Sequence, residues 1–247
     1  MNLIIDQGNT ATKLAIFSQK KLMDKIVFSR EDFVKTNQWL QGNCSANTPV
    51  LCSSVTNQSL SIPSGQVVHL NHQTPIPIKN NYQTPETLGH DRLANAVAIS
   101  KLAGDTPALA IDLGTCIKYD LVDNGTYLGG NISPGMKMRF DALHQLTDQL
   151  PLIGSTKEMF EKDFLNYGIS TSTSIINGVQ QAIIHEINGF ITRYEKEFIG
   201  LTIFMTGGDA NFFDKAFKKG IFAFSVKYRE DLTLFGLNEI LEYNVKA

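Results

Sequence analysis

One short pattern occurs twice in the chain, and this repetition restricts the possible folds more than any other feature. Residues 3–5 and 108–111 are apolar runs, and each leads into an aspartate, Asp6 or Asp112, followed by a turn with glycine and threonine. Strand-forming residues resume after each turn. Each copy therefore predicts a buried strand that ends at a carboxylate, then a tight turn and another strand.

The rest of the chain predicts two successive series of three strands, each followed by helices and further strands. The first series predicts strands at 3–5, 14–17, 21–28, 50–52 and 67–70, an irregular proline-bearing segment at 75–85, and helices at 31–40 and 91–102. The second predicts strands at 108–111, 117–122, 126–128, 201–205 and 222–226, and helices at 137–146, 159–164, 173–198, 210–218 and 232–243. The expected fold is α/β, with two lobes, residues 1–104 and 105–247, and a central ligand-binding cleft.

The composition is that of an ordinary globular protein, with 43% apolar and 19% charged residues among 247. A formal net charge of −2 supplies no basic field for nucleic acid or an anionic membrane. The three cysteines lack metal-ligand spacing, which favours a reducing compartment. There is no secretory-signal pattern, and no apolar run approaches the roughly 18 residues of a membrane span. The sequence thus predicts a cytoplasmic protein with neither nucleic acid nor membrane as a partner.

Residues 6–13, the first copy of the pattern, have the residue types of a phosphate site. Asp6 suits Mg²⁺, which favours carboxylates together with water and substrate phosphates. Gly8 lets a ligand approach the backbone closely, and Lys13 offers a cation for phosphate oxygens. A hairpin turn with a hydroxyl-satisfied backbone is the alternative for this octet alone. The second copy at 112–115 makes an ATP phosphotransfer site the favoured interpretation.

Residues 89–92 lie directly before the helix predicted at 91–102. Asp91 has the position of a helix-capping or first-turn acid, and Arg92 that of a surface side chain. The irregular segment before them also allows a functional interpretation. In that case Asp91 accepts a hydroxyl proton during transfer, and Arg92 binds a carboxylate through two hydrogen bonds.

Three further segments carry alternative interpretations. Residues 129–135 form either a tight connection from a strand to a helix or part of a ligand site, and residues 206–210 suit nucleotide contacts at a helix N-terminus or a close-packed turn. Most of the hydroxyl cluster at 170–174 is capping and loop, although one threonine there is a candidate for a polar substrate.

Taken together, these motifs resemble one family, the type III pantothenate kinases of the acetate kinase/sugar kinase/Hsp70/actin superfamily. The resemblance covers most of the chain and rests on five segments in the family's order. They are Asp6-x-Gly8-Asn9-Thr10-x-x-Lys13, Gly89-x-Asp91-Arg92, Asp112-x-Gly114-Thr115, Gly129-Gly130-x-Ile132-x-Pro134-Gly135 and Thr206-Gly207-Gly208.

The resemblance implies a duplicated ribonuclease H-like (actin-like ATPase) fold and a defined reaction. That reaction is the ATP-dependent phosphorylation of pantothenate to 4′-phosphopantothenate, the first step of coenzyme A biosynthesis. Asp91 is implied as the catalytic base that acts on the primary hydroxyl of pantothenate. The implied cofactors are Mg²⁺ near Asp6 and a monovalent cation, K⁺ or NH₄⁺, at Asp112. Members of the family are similar homodimers, so the resemblance also implies a homodimer.

The resemblance also implies the residues that contact each substrate. Those implied for ATP and its phosphates are Asp6, Gln7, Gly8, Asn9, Thr10, Ala11, Thr12, Lys13 and Thr115. Those implied for pantothenate are Tyr82, Gly89, His90, Asp91, Arg92 and Thr171, with Thr173 as the alternative to Thr171. Two other functions stay open: a kinase of the same superfamily with another small-molecule acceptor, or a transcription accessory or binding protein.

Overall fold

The structure is a computed structural model that describes residues 1–154, 167–216 and 225–246. The chain divides into two compact units. The first contains residues 1–105, 122–129 and 231–247, and the second contains 106–121 and 130–230. The C-terminal segment thus folds with the N-terminal one. The functional division predicted at residues 104 and 105 stays a prediction.

The first unit is built on a five-stranded sheet. Its strands are β1 (Asn2–Gln7), β2 (Ala11–Ser18), β3 (Lys21–Ser29), β4 (Val50–Ser54) and β5 (Val67–His69), in the spatial order β3-β2-β1-β4-β5. Strands β1, β2 and β3 pair antiparallel, whereas β4 runs parallel to β1 and β5 parallel to β4. The central strand β1 therefore lies between a hairpin and a parallel neighbour.

Helices cover both faces of this sheet because successive side chains of a strand point to opposite sides. Ile4 packs with residues of α2 (His90–Ala103) and α6 (Leu232–Lys246), whereas Leu3 and Ile5 pack with Leu40 of α1 (Phe33–Asn43). A Cβ on Gly236 of α6 would lie 1.8 Å from the Ala94 carbonyl oxygen, so α2 and α6 touch along their backbones. This packing fixes α2, which carries the predicted catalytic residue.

The second unit repeats the arrangement of the first. The strands of its sheet are β7 (Ala108–Leu113), β8 (Cys116–Asp123), β9 (Thr126–Pro134), β10 (Thr202–Thr206) and β11 (Val226–Tyr228), in the order β9-β8-β7-β10-β11. The end of β8 and the start of β9, within residues 122–129, belong to the first unit. Strand β10 runs parallel to both β7 and β11. The first strand of each series is central in both sheets, and the fourth and fifth follow on the same side. A short strand, β6 (Lys79–Asn80), pairs with Thr126 and Tyr127 at the start of β9, which belong to the first unit.

Among the described residues of this unit, the helices are α3 (Met136–Gln145), α4 (Thr171–Glu197) and α5 (Ala210–Ala216). The long helix α4 buries an isoleucine-rich stripe, including Ile183 and Ile187, in the core that β7 and β8 help to form. This stripe follows the 3.6-residue period of an amphipathic helix, as the sequence predicts.

Most predicted elements are confirmed, with shifts at their ends, but two segments differ. Residues 129–134 continue β9 instead of forming a connection, because the pleated alternation persists through glycine and polar residues that carry no strand signal. Of the strand predicted at 222–226, residues 222–224 lie outside the described residues, and the strand described nearby is Val226–Tyr228. The helix predicted at 159–164 lies outside the described residues. No helix in the described part of the chain is long and apolar enough to cross a membrane.

Candidate active site

The first copy of the repeated pattern leaves its charged side chains accessible. Asp6, next to the end of β1, pairs across the sheet with Lys13 of β2 on one side and with Ser53 of β4 on the other. The Lys13 Nζ lies 3.9 Å from Asp6 Oδ2, and these side chains are 48% and 19% exposed. The Gly8 N–H donates to the Ala11 carbonyl and closes the turn between the strands. A phosphate or hydrated metal therefore has access to one carboxylate and one ammonium.

The other side chains of this octet divide into two groups. Asn9 and Thr10 are exposed, Ala11 is partly buried, and Gln7 and Thr12 are buried. The Gln7 amide donates to the Gln58 carbonyl and accepts from the Ser54 hydroxyl. The side chain of Gln7 thus holds the loop after β4, and its backbone is the part that faces the turn.

The Gly89-to-Arg92 segment forms the first turn of α2. The Arg92 backbone N–H donates to Asp91 Oδ1 at 2.8 Å. A Cβ added to Gly89 would lie 2.7 Å from the same oxygen, so Gly89 leaves room for this carboxylate. The N-terminus of a helix favours negative charge, which suits a carboxylate at this position.

A contact within the first unit joins α2 to the strand beside Asp6. The His90 Nδ1 lies 3.5 Å from the Ser53 hydroxyl, and Ser53 is the residue that pairs with Asp6. Partial burial lowers the pKa of His90, and the nearby Asp91 opposes this shift. A neutral imidazole therefore lies between the predicted phosphate-binding acid and the predicted catalytic acid.

Tyr82 and Arg92 also lie together. The Arg92 Nη1 donates to the Tyr82 hydroxyl at 3.3 Å, and the guanidinium carbon lies 5.3 Å from the centre of the tyrosine ring. Tyr82 stacks on Tyr127 with ring centres 5.9 Å apart. Arg92 is buried, so its guanidinium is held in a defined position, unlike that of a mobile surface side chain.

The second copy of the pattern is enclosed. Asp112, near the end of β7, lies beside Thr206 of β10. The Nζ of Lys118 in β8 lies 2.8 Å from Asp112 Oδ2, and the two side chains are only 16% and 11% exposed. Thr115, in the turn between these strands, is exposed. The carboxylate that corresponds to Asp6 is thus held in a close, largely buried ion pair.

Two glycines from other loops press against this second copy. A Cβ on Gly135 would lie 2.1 Å from the Gly114 carbonyl oxygen, and one on Gly207 would lie 2.4 Å from the Leu113 carbonyl oxygen. Gly207 also has φ +100°, which side-chain-bearing residues rarely adopt. The turn at Thr115 is therefore packed between the segments 129–135 and 206–210, which accounts for Gly135 and Gly207.

The hydroxyl cluster before α4 separates its two threonine candidates. Thr173 forms a capping box with Ser170, in which its hydroxyl accepts from the Ser170 N–H at 2.9 Å. Thr171 is the first residue of the helix and is exposed. The side chain of Thr173 is thus committed to the helix start, whereas that of Thr171 faces solvent.

Sequence reasoning did not identify several residues that contact the predicted site residues, among them Ser53, Lys118 and Tyr127. Lys118 follows Asp112 by six positions, much as Lys13 follows Asp6 by seven, so the repeated pattern held a signal for it. Ser53 and Tyr127 carried none, because their roles depend on strand register and on the position of the segment before α2.

The described ranges contain no larger cluster of metal-ligating side chains. No group of three or more histidine, cysteine, aspartate or glutamate side chains is placed there to hold a metal ion. Cys44, Cys52 and Cys116 are free thiols. Burial raises the pKa of Cys52 to about 11, so this thiol stays protonated at neutral pH.

Comparison with known proteins identifies relatives over the whole chain. The family model described as Type III pantothenate kinase matches residues 2–193. A type III pantothenate kinase of Phocaeicola vulgatus is 41% identical over 252 residues, which cover 100% of both chains.

Solved structures with lower identity share the fold. A putative Baf family transcriptional activator from Campylobacter jejuni superposes with a TM-score of 0.61 at 18% identity, covering 99% of this chain and 100% of the other. A putative N-acetylmannosamine kinase from Listeria monocytogenes gives a TM-score of 0.57 at 13% identity, covering 98% of this chain and 99% of the other. The predicted duplicated ribonuclease H-like, actin-like α/β fold is confirmed.

Proposed function

Since this chain belongs to the type III pantothenate kinase family, we propose that it transfers the terminal phosphoryl group of ATP to pantothenate and that Asp91 is the catalytic base. The products are ADP and 4′-phosphopantothenate, the first intermediate of coenzyme A biosynthesis. The observation that carries the proposal for the site is the contact between His90 and Ser53, because it links the segment that contains Asp91 to the strand beside Asp6.

In the proposed reaction, the primary hydroxyl of pantothenate donates a hydrogen bond to the Asp91 carboxylate. The hydroxyl oxygen forms a bond to the γ-phosphorus, the bond from that phosphorus to the β–γ bridging oxygen breaks, and ADP leaves. Asp91 takes the hydroxyl proton. An ionised aspartate at a helix N-terminus is a weak base, so alignment of the hydroxyl is its main contribution and proton transfer comes late.

Charge on the phosphates is offset mainly from residues 6–13 in this proposal. Lys13 contacts phosphate oxygens, and the turn closed by the Gly8 N–H approaches them with its backbone. Asp6, partly exposed and next to a strand end, suits Mg²⁺ held through water, which would neutralise phosphate charge when bound. Thr115, exposed in the turn of the second unit, is the proposed nucleotide contact there.

Pantothenate is held by the start of α2 and by the segment before it. Arg92 is the proposed partner of its carboxylate, and Tyr82 keeps the guanidinium in place through a hydrogen bond and ring contact. Gly89 gives Asp91 its room, and His90 is a neutral neighbour of the reacting hydroxyl. Thr171 is the proposed threonine contact, since Thr173 is used in capping.

The monovalent cation implied at Asp112 fits the residues present poorly. The carboxylate already has the Lys118 ammonium 2.8 Å away in a largely buried position. A second cation there would be repelled by the first. No step of the proposed reaction therefore depends on a bound K⁺ or NH₄⁺.

We also propose that the protein is a homodimer and that it is cytoplasmic. Sedimentation in solution tests the oligomeric state.

Comparing phosphoryl acceptors tests the proposed function directly. ADP release from ATP is measured with pantothenate, acetate or a hexose as the acceptor, and in the absence of an acceptor. We expect kcat/KM for pantothenate to exceed that for the other two by about 10³-fold or more, because a site built for a carboxylate and a hydroxyl rejects ligands that leave these groups unpaired. Preferred turnover of another acceptor indicates a different kinase, and no turnover with any acceptor indicates a binding protein.

A further inference from the structure

We propose that the Lys118 ammonium takes the place of a monovalent cation beside Asp112, so that this enzyme works without K⁺ or NH₄⁺. This inference rests on the proposed function. Lys118 is a positioning residue that acts through Asp112. Its ammonium supplies the positive charge that the family resemblance assigns to a bound ion.

The chemistry of the two cations is closely matched. A lysine ammonium carries the same single charge as K⁺ or NH₄⁺, is compact, and offers three N–H donors. The Lys118 Nζ lies 2.8 Å from Asp112 Oδ2, which is the length of a charge-assisted hydrogen bond. The position next to the carboxylate is therefore already filled by a cation that cannot diffuse away.

The surroundings leave little room for a second ion. The side chains of Lys118 and Asp112 are both largely buried. A Cβ on Gly207 would lie only 2.6 Å from Asp112 Oδ1, so the backbone of the loop after β10 approaches the other carboxylate oxygen. Each oxygen of Asp112 thus has a close neighbour from this unit.

The first copy of the pattern provides an internal reference. There the Lys13 Nζ is 3.9 Å from Asp6 Oδ2, and the lysine is about half exposed. That pair leaves its charges available to ligands, whereas the pair of the second copy satisfies itself. The difference in distance and burial indicates different tasks: the first pair offers its charges to the substrate, and the second keeps the turn before Thr115 neutral and in place.

The first test uses the unmodified protein. Pantothenate-dependent ADP formation and the thermal midpoint are measured in KCl, NH₄Cl and tetramethylammonium chloride at equal ionic strength. We expect kcat/KM to stay within about 2-fold across the three salts and the midpoint within about 1 °C, since no cation binds specifically. Stimulation of about 10-fold or more by K⁺ or NH₄⁺ would overturn the proposal.

Three variants of Lys118 sharpen the test. Lys118→Ala removes the charge and opens space, so we expect K⁺ and NH₄⁺ to raise its turnover by about 10-fold and its thermal midpoint by about 3 °C relative to tetramethylammonium. Lys118→Met fills the space without a charge, and its activity stays low in every salt. Lys118→Arg keeps the charge and stays independent of the salt.

Lys25→Ala is the matched control, because Lys25 also has its Nζ 2.8 Å from an aspartate, Asp231, but in the first unit. We expect this variant to lose stability equally in all three salts. A Lys118→Ala variant that folds and shows no preference for K⁺ or NH₄⁺ would contradict the proposal. If it does not fold, the salt series on the unmodified protein and on Lys118→Arg decides the question.

Absence of pantothenate turnover in every salt would refute the proposed function. The thermal midpoints would still decide the cation question, since they require no turnover. The two failures are therefore distinguishable.

Discussion

The two copies of the strand–aspartate–glycine pattern have the same place in two similar sheets but differ in their surroundings. Around Asp6, the Nζ of the lysine partner is 3.9 Å away and this side chain is about half exposed. Around Asp112, the lysine partner is close and largely buried, and two loops press on the turn. The same fold element therefore occurs in two states: an open copy, whose charges we propose to contact ligands, and an enclosed copy, whose two charges form a close ion pair.

The largest effect is expected at Asp91, because the proposed reacting groups lie in the first unit, which contains the open copy. Asp91→Asn keeps the size of the side chain but removes the base, so kcat should fall by about 10²–10⁴-fold. The thermal midpoint should change little. Steady-state kinetics with pantothenate measure the effect, and Asp105→Asn, which alters an exposed aspartate just after α2, is the control with unchanged kcat. Near-normal turnover by Asp91→Asn would remove this residue from the mechanism.

A pair of glycine variants tests the difference in packing. Gly207→Ala should lower the free energy of unfolding by about 2–4 kcal/mol, because the new methyl group meets the Leu113 carbonyl and the backbone has a left-handed φ. Gly8→Ala should cost under about 1 kcal/mol, since its nearest neighbour, the Ala11 carbonyl oxygen, would be 3.4 Å away.

Urea-induced unfolding measures both variants. Gly178→Ala, in α4 of the second unit, has no atom within 4 Å of the added Cβ and serves as the control for a glycine with free space. Equal losses of stability at Gly207 and Gly8 would mean that the two copies are packed alike, which would contradict the comparison.

Gly89→Ala displaces the proposed catalytic carboxylate of Asp91 without removing it, so it tests whether the position of this group matters. The added methyl group would lie 2.7 Å from Asp91 Oδ1 and would push this short side chain aside. We expect kcat to fall by about 10-fold, or about 1.4 kcal/mol, with a smaller change in KM. Steady-state kinetics give both constants. An unchanged kcat would show that the observed rotamer of Asp91 is not the one used in the reaction.

Lys13→Met tests whether the open pair serves ligands more than the fold. We expect the KM for ATP to rise by about 5-fold because a phosphate contact is lost, and stability to stay within about 0.5 kcal/mol because an exposed pair at this distance contributes little. Lys21→Met, at an exposed lysine of β3, is the control with an unchanged KM. A large loss of stability without a change in KM would reverse the roles given to the two lysines.

The smallest effect concerns His90 and pH. Burial lowers its pKa from the ordinary value of 6.5, so below that value the unfolded chain binds the proton more readily than the folded one. The contribution of His90 to stability is thus present above about pH 6.5 and is lost as the pH falls through the lowered pKa. Between pH 7.5 and 5.0 the thermal midpoint of His90→Gln should fall by about 1–2 °C less than that of the unmodified protein. An identical fall in both proteins would contradict this assignment.

The sequence predicted best the strands and helices that have a regular pattern of buried side chains and a glycine near their ends. The apolar runs before Asp6 and Asp112 belong to this class because they are buried on both faces of their sheets. The long helix α4 belongs to it because one face is buried with the 3.6-residue period. The extension of β9 through Gly129 and Gly130 was missed, because a strand held by backbone pairing needs no apolar alternation.

The sequence was sufficient to propose candidate site residues, but not all of the residues that contact them. Asp6, Asp91 and Asp112 stand next to glycine turns, which are visible locally. The pairing of Lys118 with Asp112 and the approach of Ser53 to His90 depend on strand register and on how a helix is placed against its sheet. Lys118 is only six residues from Asp112, and the spacing of Lys13 from Asp6 held a signal for it. Ser53 and His90 are 37 residues apart, so no local pattern specifies their contact.

The central claim is that the open copy and the start of α2 together move a phosphoryl group from ATP to pantothenate. Mass spectrometry of the products formed from these two substrates tests it most directly. The account predicts one 4′-phosphopantothenate for each ADP released, and at least about 100-fold slower formation of both by Asp91→Asn. Release of ADP without phosphorylated pantothenate, or no reaction at all, would contradict it.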